Sequence, residues 1–330
     1  MLTHDGTDIF LTRDGRPLSG IVLAAGDGER LRPFTERWLG APTPKQYCTF
    51  VGTRSMIDHT LDRVAQWCPA NRIVSVVAET HRRFLARRSR RRSDGRWVFQ
   101  PANRDTAAGV LLGLSYVLER DPDATVGIFP SDHFIYPEWR FLHTIRLAAT
   151  AAEATGRMVL LGAPASGAEP DYGWIMRGNP LTHVDGCPIF TVESFVEKPP
   201  PDHVRAAFRA GGLWNTLVMI GRAEAIWDAA AATMPELVAR FASLRTAIGT
   251  SDERRVLEAI YRAMPAHNFS RAVLECLPGL IGVMELKEVT WSDWGRPERI
   301  AATLQALGKE PRFSRRHLTE RPQTPVVQPA

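Results

Sequence analysis

Short apolar runs alternate with longer segments of helical periodicity through the first half of the chain. Ile21-Val22-Leu23-Ala24-Ala25 has the length and β-branched content of a buried parallel strand. Further strands are predicted at 72–77, 97–100, 125–129 and 158–162. Between them the apolar spacing predicts helices over 55–68, 80–92, 105–120 and 138–155; Met56, Ile57, Leu61, Val64 and Ala65, for example, share one face. Strand and helix alternating at short spacing is the signature of a parallel sheet with helices on both faces. Ligands in such sheets sit beyond the carboxyl ends of the strands.

From Tyr172 to Lys198 the pattern changes to shorter strands, with turns expected at Asn179-Pro180 and Asp185-Gly186. Helices follow at about 202–210, 222–232, 234–246 and 251–263, around a strand at 213–220. The last strand is expected at 280–286 and a short amphipathic helix at 296–308. Residues 1–18 read as an N-terminal extension with one hairpin turning at Asp14-Gly15. Residues 19–310 form one domain on this reading. The Pro- and Arg-rich segment 311–330 reads as a disordered tail.

Composition adds bounds. Hydrophobic content of 44% and charge of 23% over 330 residues are ordinary for a globular chain. That length buries a sizeable core without metals or disulfides. A net charge of +5 suits a small anionic substrate and does not by itself argue for nucleic acid. The 80–92 segment carries Arg82, Arg83, Arg87, Arg88, Arg90, Arg91 and Arg92. It reads either as a polyanion patch or as a solvated helix face. With no aromatic ladder beside it, the solvated face is expected, and no nucleic-acid partner. Cys48, Cys68, Cys187 and Cys276 are scattered, which implies reduced thiols and a reducing compartment. The polar, acid-bearing start resembles neither a secretory signal nor a transit peptide, and no apolar run approaches the roughly 20 residues of a membrane helix. A cytoplasmic protein with no membrane partner is expected.

The candidate chemistry gathers where strands end. Gly26-Asp27-Gly28-Glu29-Arg30 breaks the first strand, and glycines there let backbone N–H groups close on a phosphate chain. Neither the NTPase loop motif nor the dinucleotide fingerprint is present. Alone, this is also what a tight strand-to-helix turn looks like. Arg30 offers a planar fork for phosphate oxygens and Lys45 a point-like cation. Asp132, in Pro130-Ser131-Asp132-His133, and Asp293, in Trp291-Ser292-Asp293-Trp294-Gly295, each follow an apolar strand. Singly each reads as a cap or turn residue. Facing several cations as a pair, they suit Mg²⁺, which takes few protein oxygens. His133 reads as structural, because hard Mg²⁺ prefers oxygen. Glu197-Lys198-Pro199 either holds an anionic group and sugar hydroxyls or is a surface ion pair. Tyr172-Gly173 is either a close approach of backbone to ligand or a simple turn. Trp214-Asn215 is either a sugar-binding pair or a core Trp beside an edge Asn.

Taken in order, these motifs, with Gln100-Pro101-Ala102-Asn103-Arg104-Asp105-Thr106-Ala107 among them, closely resemble those of the sugar-phosphate nucleotidyltransferase family. The resemblance covers about 20–300. Within the family, Pro44-Lys45-Gln46, the Gln100–Ala107 run and Pro130-Ser131-Asp132-His133 look most like the mannose-1-phosphate guanylyltransferase branch. The resemblance implies a Rossmann-like (GT-A-like) α/β fold with a mixed, mostly parallel sheet. It implies an NTP and a sugar 1-phosphate as substrates, with GTP and mannose 1-phosphate expected, Mg²⁺ as cofactor, and a homodimer; the alternatives are another base or hexose 1-phosphate, or a non-catalytic nucleotide-sugar-binding regulatory paralogue. Arg30 and Lys45 would hold the triphosphate, and Asp132 and Asp293 the metal. Lys198 would orient the sugar phosphate. Gly173, Glu197 and Asn215 would contact the sugar. Ala25, Gly26, Gly28, Gln100, Asn103, Arg104 and Thr106 would line the base, ribose and phosphates. The chain departs from the family pattern at Glu29, at a lengthened loop between Arg30 and Lys45, at Thr216-Leu217 in place of a glycine turn, and at Ser270 in place of an acid.

Overall fold

The computed structural model describes residues 10–86, 95–314 and 316–319. Its centre is a nine-stranded mixed sheet in the spatial order 96–100, 73–78, 18–24, 125–130, 213–222, 158–164, 281–285, 187–197 and 173–184. The first strands are β1 (Leu18–Ala24), β2 (Ile73–Ala78), β3 (Arg96–Gln100) and β4 (Thr125–Pro130). These four run parallel, with Ile21 opposite both Val74 and Ile128. Every residue of β2 and β4 is buried, which is why both read as unbroken apolar runs rather than alternating ones.

Helices cover both faces. On one lie α4 (Asp105–Arg120), α7 (Ala223–Thr233), α8 (Pro235–Ala247) and α9 (Glu253–Ala263). Helix α4 is sandwiched between sheet and helices, so Ala107 through Leu118 are all buried and it carries no polar stripe. On the other face lie α2 (Met56–Val64), begun by a Ser55/Asp58 capping box, and α5 (Glu138–Thr155). The short helices α1 (Arg32–Leu39), α3 (Arg82–Ala86), α6 (Pro201–Arg209), α10 (Pro297–Ala306) and α11 (Arg316–Thr319) complete the set. Among the described residues no helix is long and apolar enough to cross a membrane.

The second half is built differently. β6 (Met158–Pro164) and β10 (Ile281–Glu285) are parallel to each other, but β7 (Gly173–Val184), β8 (Cys187–Glu197) and β9 (Leu213–Arg222) pair antiparallel with their neighbours. β7 also returns to pair with β9, through Trp174↔Trp214 and Ile175↔Leu213. Strands β9, β6, β10, β8 and β7 therefore close into a ring. A separate two-stranded sheet joins β5 (Phe134–Tyr136) to β11 (Thr290–Ser292).

Several expectations are corrected. Asn179-Pro180 is not a turn. It lies inside β7, where two register shifts accommodate a proline that cannot donate to the ladder, and only Asp185-Gly186 reverses the chain. Strand β10 is not the last, because β11 follows it; at three residues each, β5 and β11 are too short to show periodicity. The disordered-tail expectation fails for its first residues. Pro311 bridges Val51, and Phe313, 4% exposed, packs edge-on to Phe34 and Phe50. Residues 320–330 lie outside the described residues, as do 87–94, which hold most of the arginine-rich segment, and 1–9 of the extension. The hairpin at Asp14-Gly15 is present, with Leu11 bridged to Pro17. The four cysteines carry free thiols.

Candidate active site

The carboxyl ends of β1, β3 and β4 surround a cavity of about 700 Å³. Ala25, Gly26, Gln100, Asn103 and Thr106 line it, together with Asp132. Glu29 lies on its wall as well, so the extra negative charge borders the site. Gly28 takes a left-handed φ of 65°, and a Cβ there would sit 3.0 Å from the Lys45 backbone N. The glycine turn is thus packed directly on the segment that carries the lysine. Gln46 fastens the two together, its Nε2 donating to the carbonyls of Ala24 and Gly26 at 2.9 Å each. Asp27, in the same turn, accepts from Asn103 Nδ2 at 3.1 Å and lies 3.4 Å from His81 Nε2.

Arg104 departs from its expected place. It does not line the cavity. Its Nε donates to the Tyr261 carbonyl at 3.0 Å, tying the start of α4 to α9. Thr106 also serves the frame, because its hydroxyl accepts from the Phe269 N–H at 2.8 Å.

Lys45 is 5% exposed and spans the two predicted carboxylate loops. Its Nζ lies 2.8 Å from Asp132 Oδ2 and donates to the main-chain carbonyl of Asp293. The loops meet because β5 and β11 pair, with Phe134 opposite Ser292, one residue from each aspartate's loop. Trp294 anchors the second loop by stacking on Phe134 at 4.4 Å. Asp293 is 6% exposed. Its Oδ1 accepts from the Tyr172 hydroxyl (2.7 Å), the Gly295 N–H (2.9 Å) and Arg299 Nη1 (2.6 Å). Arg299 is braced in turn by Glu169 at 2.5 Å. Burial alone would raise the Asp293 pKa. The Lys45 charge, the Tyr172 hydroxyl and Arg299 outweigh it and hold the carboxyl well below the usual range. Burial likewise opposes, and Lys45 and His133 overcome, to keep Asp132 ionised.

The pair can be tested as a Mg²⁺ site. Asp132 is half-exposed, with Oδ2 on Lys45 and Oδ1 3.8 Å from His133 Nε2. Asp293 Oδ2 is held by Arg30 at 3.2 Å, and Arg30 is itself more than half exposed. Each aspartate therefore keeps one oxygen available or held by a movable partner. Among the described residues no cluster of three or more His, Cys, Asp or Glu could hold a metal. Two carboxylates are nonetheless enough for Mg²⁺, which completes its octahedron with water and phosphate oxygens. The residues fit. His133 accepts from Trp291 Nε1 at 3.3 Å, in keeping with a structural role.

The sugar residues converge through the closed ring. Gly173 is directly opposite Glu197, and the Trp174↔Trp214 pair brings Asn215 alongside. A Cβ on Gly173 would sit 2.7 Å from Glu197 Oε2 and 3.2 Å from Asn215 Cβ. Burial pushes the Glu197 carboxyl up, with Lys198 and Arg271 opposing and Asp105 and Glu275 adding to it. Asn215 Nδ2 donates to Ser270 Oγ at 3.4 Å, so the serine that replaces an acid in the family pattern contacts this group. Lys198 is exposed, at the end of β8, with φ 51°.

Six described non-glycine residues have positive φ. Asp185 and Glu288 are in ordinary turns, but Asp105, Lys198, Leu217 and Trp294 all border the site, where strained backbone tends to collect. Sequence reasoning missed Tyr172's hydroxyl, Glu169, Asp171 and Arg299. Arg299 lies on an amphipathic helix that gave no local signal. Tyr172 was singled out only for the glycine after it.

The family model described as Nucleotidyl transferase matches residues 19–309. The chain belongs to this family. Among relatives of the nucleotidyl transferase, the alginate biosynthesis protein AlgA of Pseudomonas fluorescens is 27% identical over 77% of this chain and 52% of its own length. The mannose-1-phosphate guanylyltransferase RfbM of Salmonella typhimurium is 26% identical over 83% of this chain and 56% of its own. The chain thus spans about half the length of these curated relatives. A solved structure described as a mannose-1-phosphate geranyltransferase from Thermus thermophilus superposes with a TM-score of 0.72 at 25% identity, covering 86% of this chain and 79% of that one. A UDP-glucose pyrophosphorylase complexed with UDP-glucose, at 13% identity and TM-score 0.56, shares the fold over 88% of this chain and 98% of its own.

Proposed function

We propose that this nucleotidyl transferase moves a nucleotidyl group from an NTP to a sugar 1-phosphate, with GTP and mannose 1-phosphate as the pair. The observation that carries the reading is Lys45. It is buried between the Asp132 and Asp293 loops; Asp132 lines the strand-end cavity, and Asp293 accepts from the hydroxyl of Tyr172, the residue before Gly173. The names of the relatives, with the Pro44-Lys45-Gln46 and Gln100–Ala107 motifs, favour the guanosine and mannose pair.

A sugar phosphate oxygen attacks the α-phosphorus in line, the α–β P–O bond breaks, and pyrophosphate leaves. No covalent enzyme intermediate is required, so positioning and charge neutralisation carry the rate. Arg30 exchanges Asp171 and Asp293 for triphosphate oxygens, and its exposure leaves it free to do so. Lys45, already fixed, loses little entropy in meeting the developing charge. Asp132 and Asp293 would hold Mg²⁺, which supplies charge neutralisation at the α-phosphate and the entering phosphate. Lys198 orients the sugar phosphate. Glu197 and Asn215 accept and donate hydrogen bonds at the sugar hydroxyls.

The test is pyrophosphate release by purified protein with Mg²⁺, crossing five NTPs with mannose, glucose and galactose 1-phosphates. Release centred on GTP and mannose 1-phosphate is expected. Release with another pair would correct the substrates, and none with any pair would overturn the transfer reading.

A further inference from the structure

Leu217 adopts a φ of 56°, a left-handed conformation that glycine enters freely and leucine only under constraint. The constraint is visible. Pairing of β9 with β6 jumps from Met219↔Leu160 to Asn215↔Gly162, so Thr216, Leu217 and Val218 together oppose Leu161. Thr216 Oγ1 donates to the Leu161 carbonyl at 2.6 Å and accepts from the Val218 N–H at 3.2 Å. Asn215 Oδ1 accepts from the Leu217 N–H at 3.0 Å. This bulge lies where β9 parts from β4, whose last paired residue is Ile128.

The result is a half-buried leucine lining the strand-end cavity beside Pro130, Asp132, His133 and Ala266, two residues from Asn215 of the sugar group. Within that group Gly173 lies against Glu197, Phe195 and Asn215, with no room for even a methyl. We infer that Leu217 sets the size of the acceptor: a sugar 1-phosphate with an unsubstituted hexose ring is accepted, and one bearing an acetamido group on the ring is excluded by the Leu217 side chain. This rests on the transfer reading above and adds to it the substrate class.

The test compares kcat/KM for mannose and glucose 1-phosphates with that for N-acetylglucosamine 1-phosphate, in the natural protein and in Leu217→Gly. The natural protein should prefer the better plain hexose by more than about 100-fold, the upper range for rejecting extra bulk. Leu217→Gly should shrink that preference at least tenfold by lowering the KM of the acetamido sugar. Calorimetric binding of an NDP-hexose and an NDP-N-acetylhexosamine is measured in parallel and should narrow in the same way. Leu217→Asn is the second variant should the glycine form fail to fold, because asparagine tolerates the left-handed region. An unchanged preference in a folded variant, or a natural protein that takes both sugars equally, would overturn the inference. If the natural protein releases no pyrophosphate yet binds the NDP-hexose, the transfer reading falls, and the two binding constants still decide for or against Leu217. Binding of neither nucleotide sugar overturns both.

Discussion

The two halves of the sheet reach the same site by different means. In the half built from β1 to β4, parallel strands deliver their carboxyl ends to one rim, and the residues that follow them line a cavity with little further arrangement. In the half built from β6 to β10, mostly antiparallel strands close into a ring, and the site is made by a bulge and a glycine with no spare volume. The parallel half is therefore a rim set by strand ends alone. The other half is tightly packed, with no room for a methyl on Gly173. Lys45, Asp132 and Asp293 are the seam between them.

The seam should give the largest effects. Asp132→Asn or Asp293→Asn is expected to cut turnover by about 10³-fold or more while leaving the far-UV circular dichroism spectrum unchanged. Full steady-state activity in either variant would remove it from the metal site. Asp293 also links the seam to acid stability. Its folded pKa is depressed, so its contribution is complete above the unfolded value near 4 and is lost as pH falls below that. Asp293→Asn should flatten the acid limb of a urea-midpoint profile below about pH 4.

Lys45→Met comes next. It should lower kcat about 10²-fold. It should also cost roughly 3 kcal/mol in denaturant unfolding, because it strips a partly buried carboxylate of its partner. A variant with wild-type stability would show that Asp132 is solvated enough to stand alone.

Gly173→Ala sharpens the contrast between halves. The added methyl meets Glu197 and Asn215, so the KM for the sugar phosphate should rise about tenfold while the KM for the NTP stays within about twofold. Equal shifts in both constants would mean that the halves are not separable. The smallest effect is expected at Arg104→Met. Its guanidinium serves the Tyr261 carbonyl, so NTP kinetics should be nearly unaltered and stability should fall by about 1 kcal/mol in thermal melts.

The same contrast explains what could be read from the sequence. The parallel half was legible almost to its boundaries, because buried strands and helices imprint their period on hydrophobic residues; α4 and α5 were bounded correctly. The antiparallel half was legible in its helices and less so in its strands. Asn179-Pro180 looked like a turn because proline usually ends a strand, and here the hairpin absorbs it by shifting register. Candidate residues could be named where they sit in local motifs, as Lys45 and Asp132 do. Arg299 and Glu169 were not, because their meaning comes from contacts across 130 positions of chain. Arg104 was placed by motif alone, and its side chain is turned to α9.

In the proposed reaction both halves are filled before the α–β bond breaks, and the protein never holds a nucleotidyl group covalently. The direct test is exchange of labelled pyrophosphate into NTP. In the absence of sugar 1-phosphate no exchange is expected, with exchange appearing once the nucleotide sugar is supplied. Rapid exchange with NTP alone would require a covalent nucleotidyl-enzyme and would contradict it.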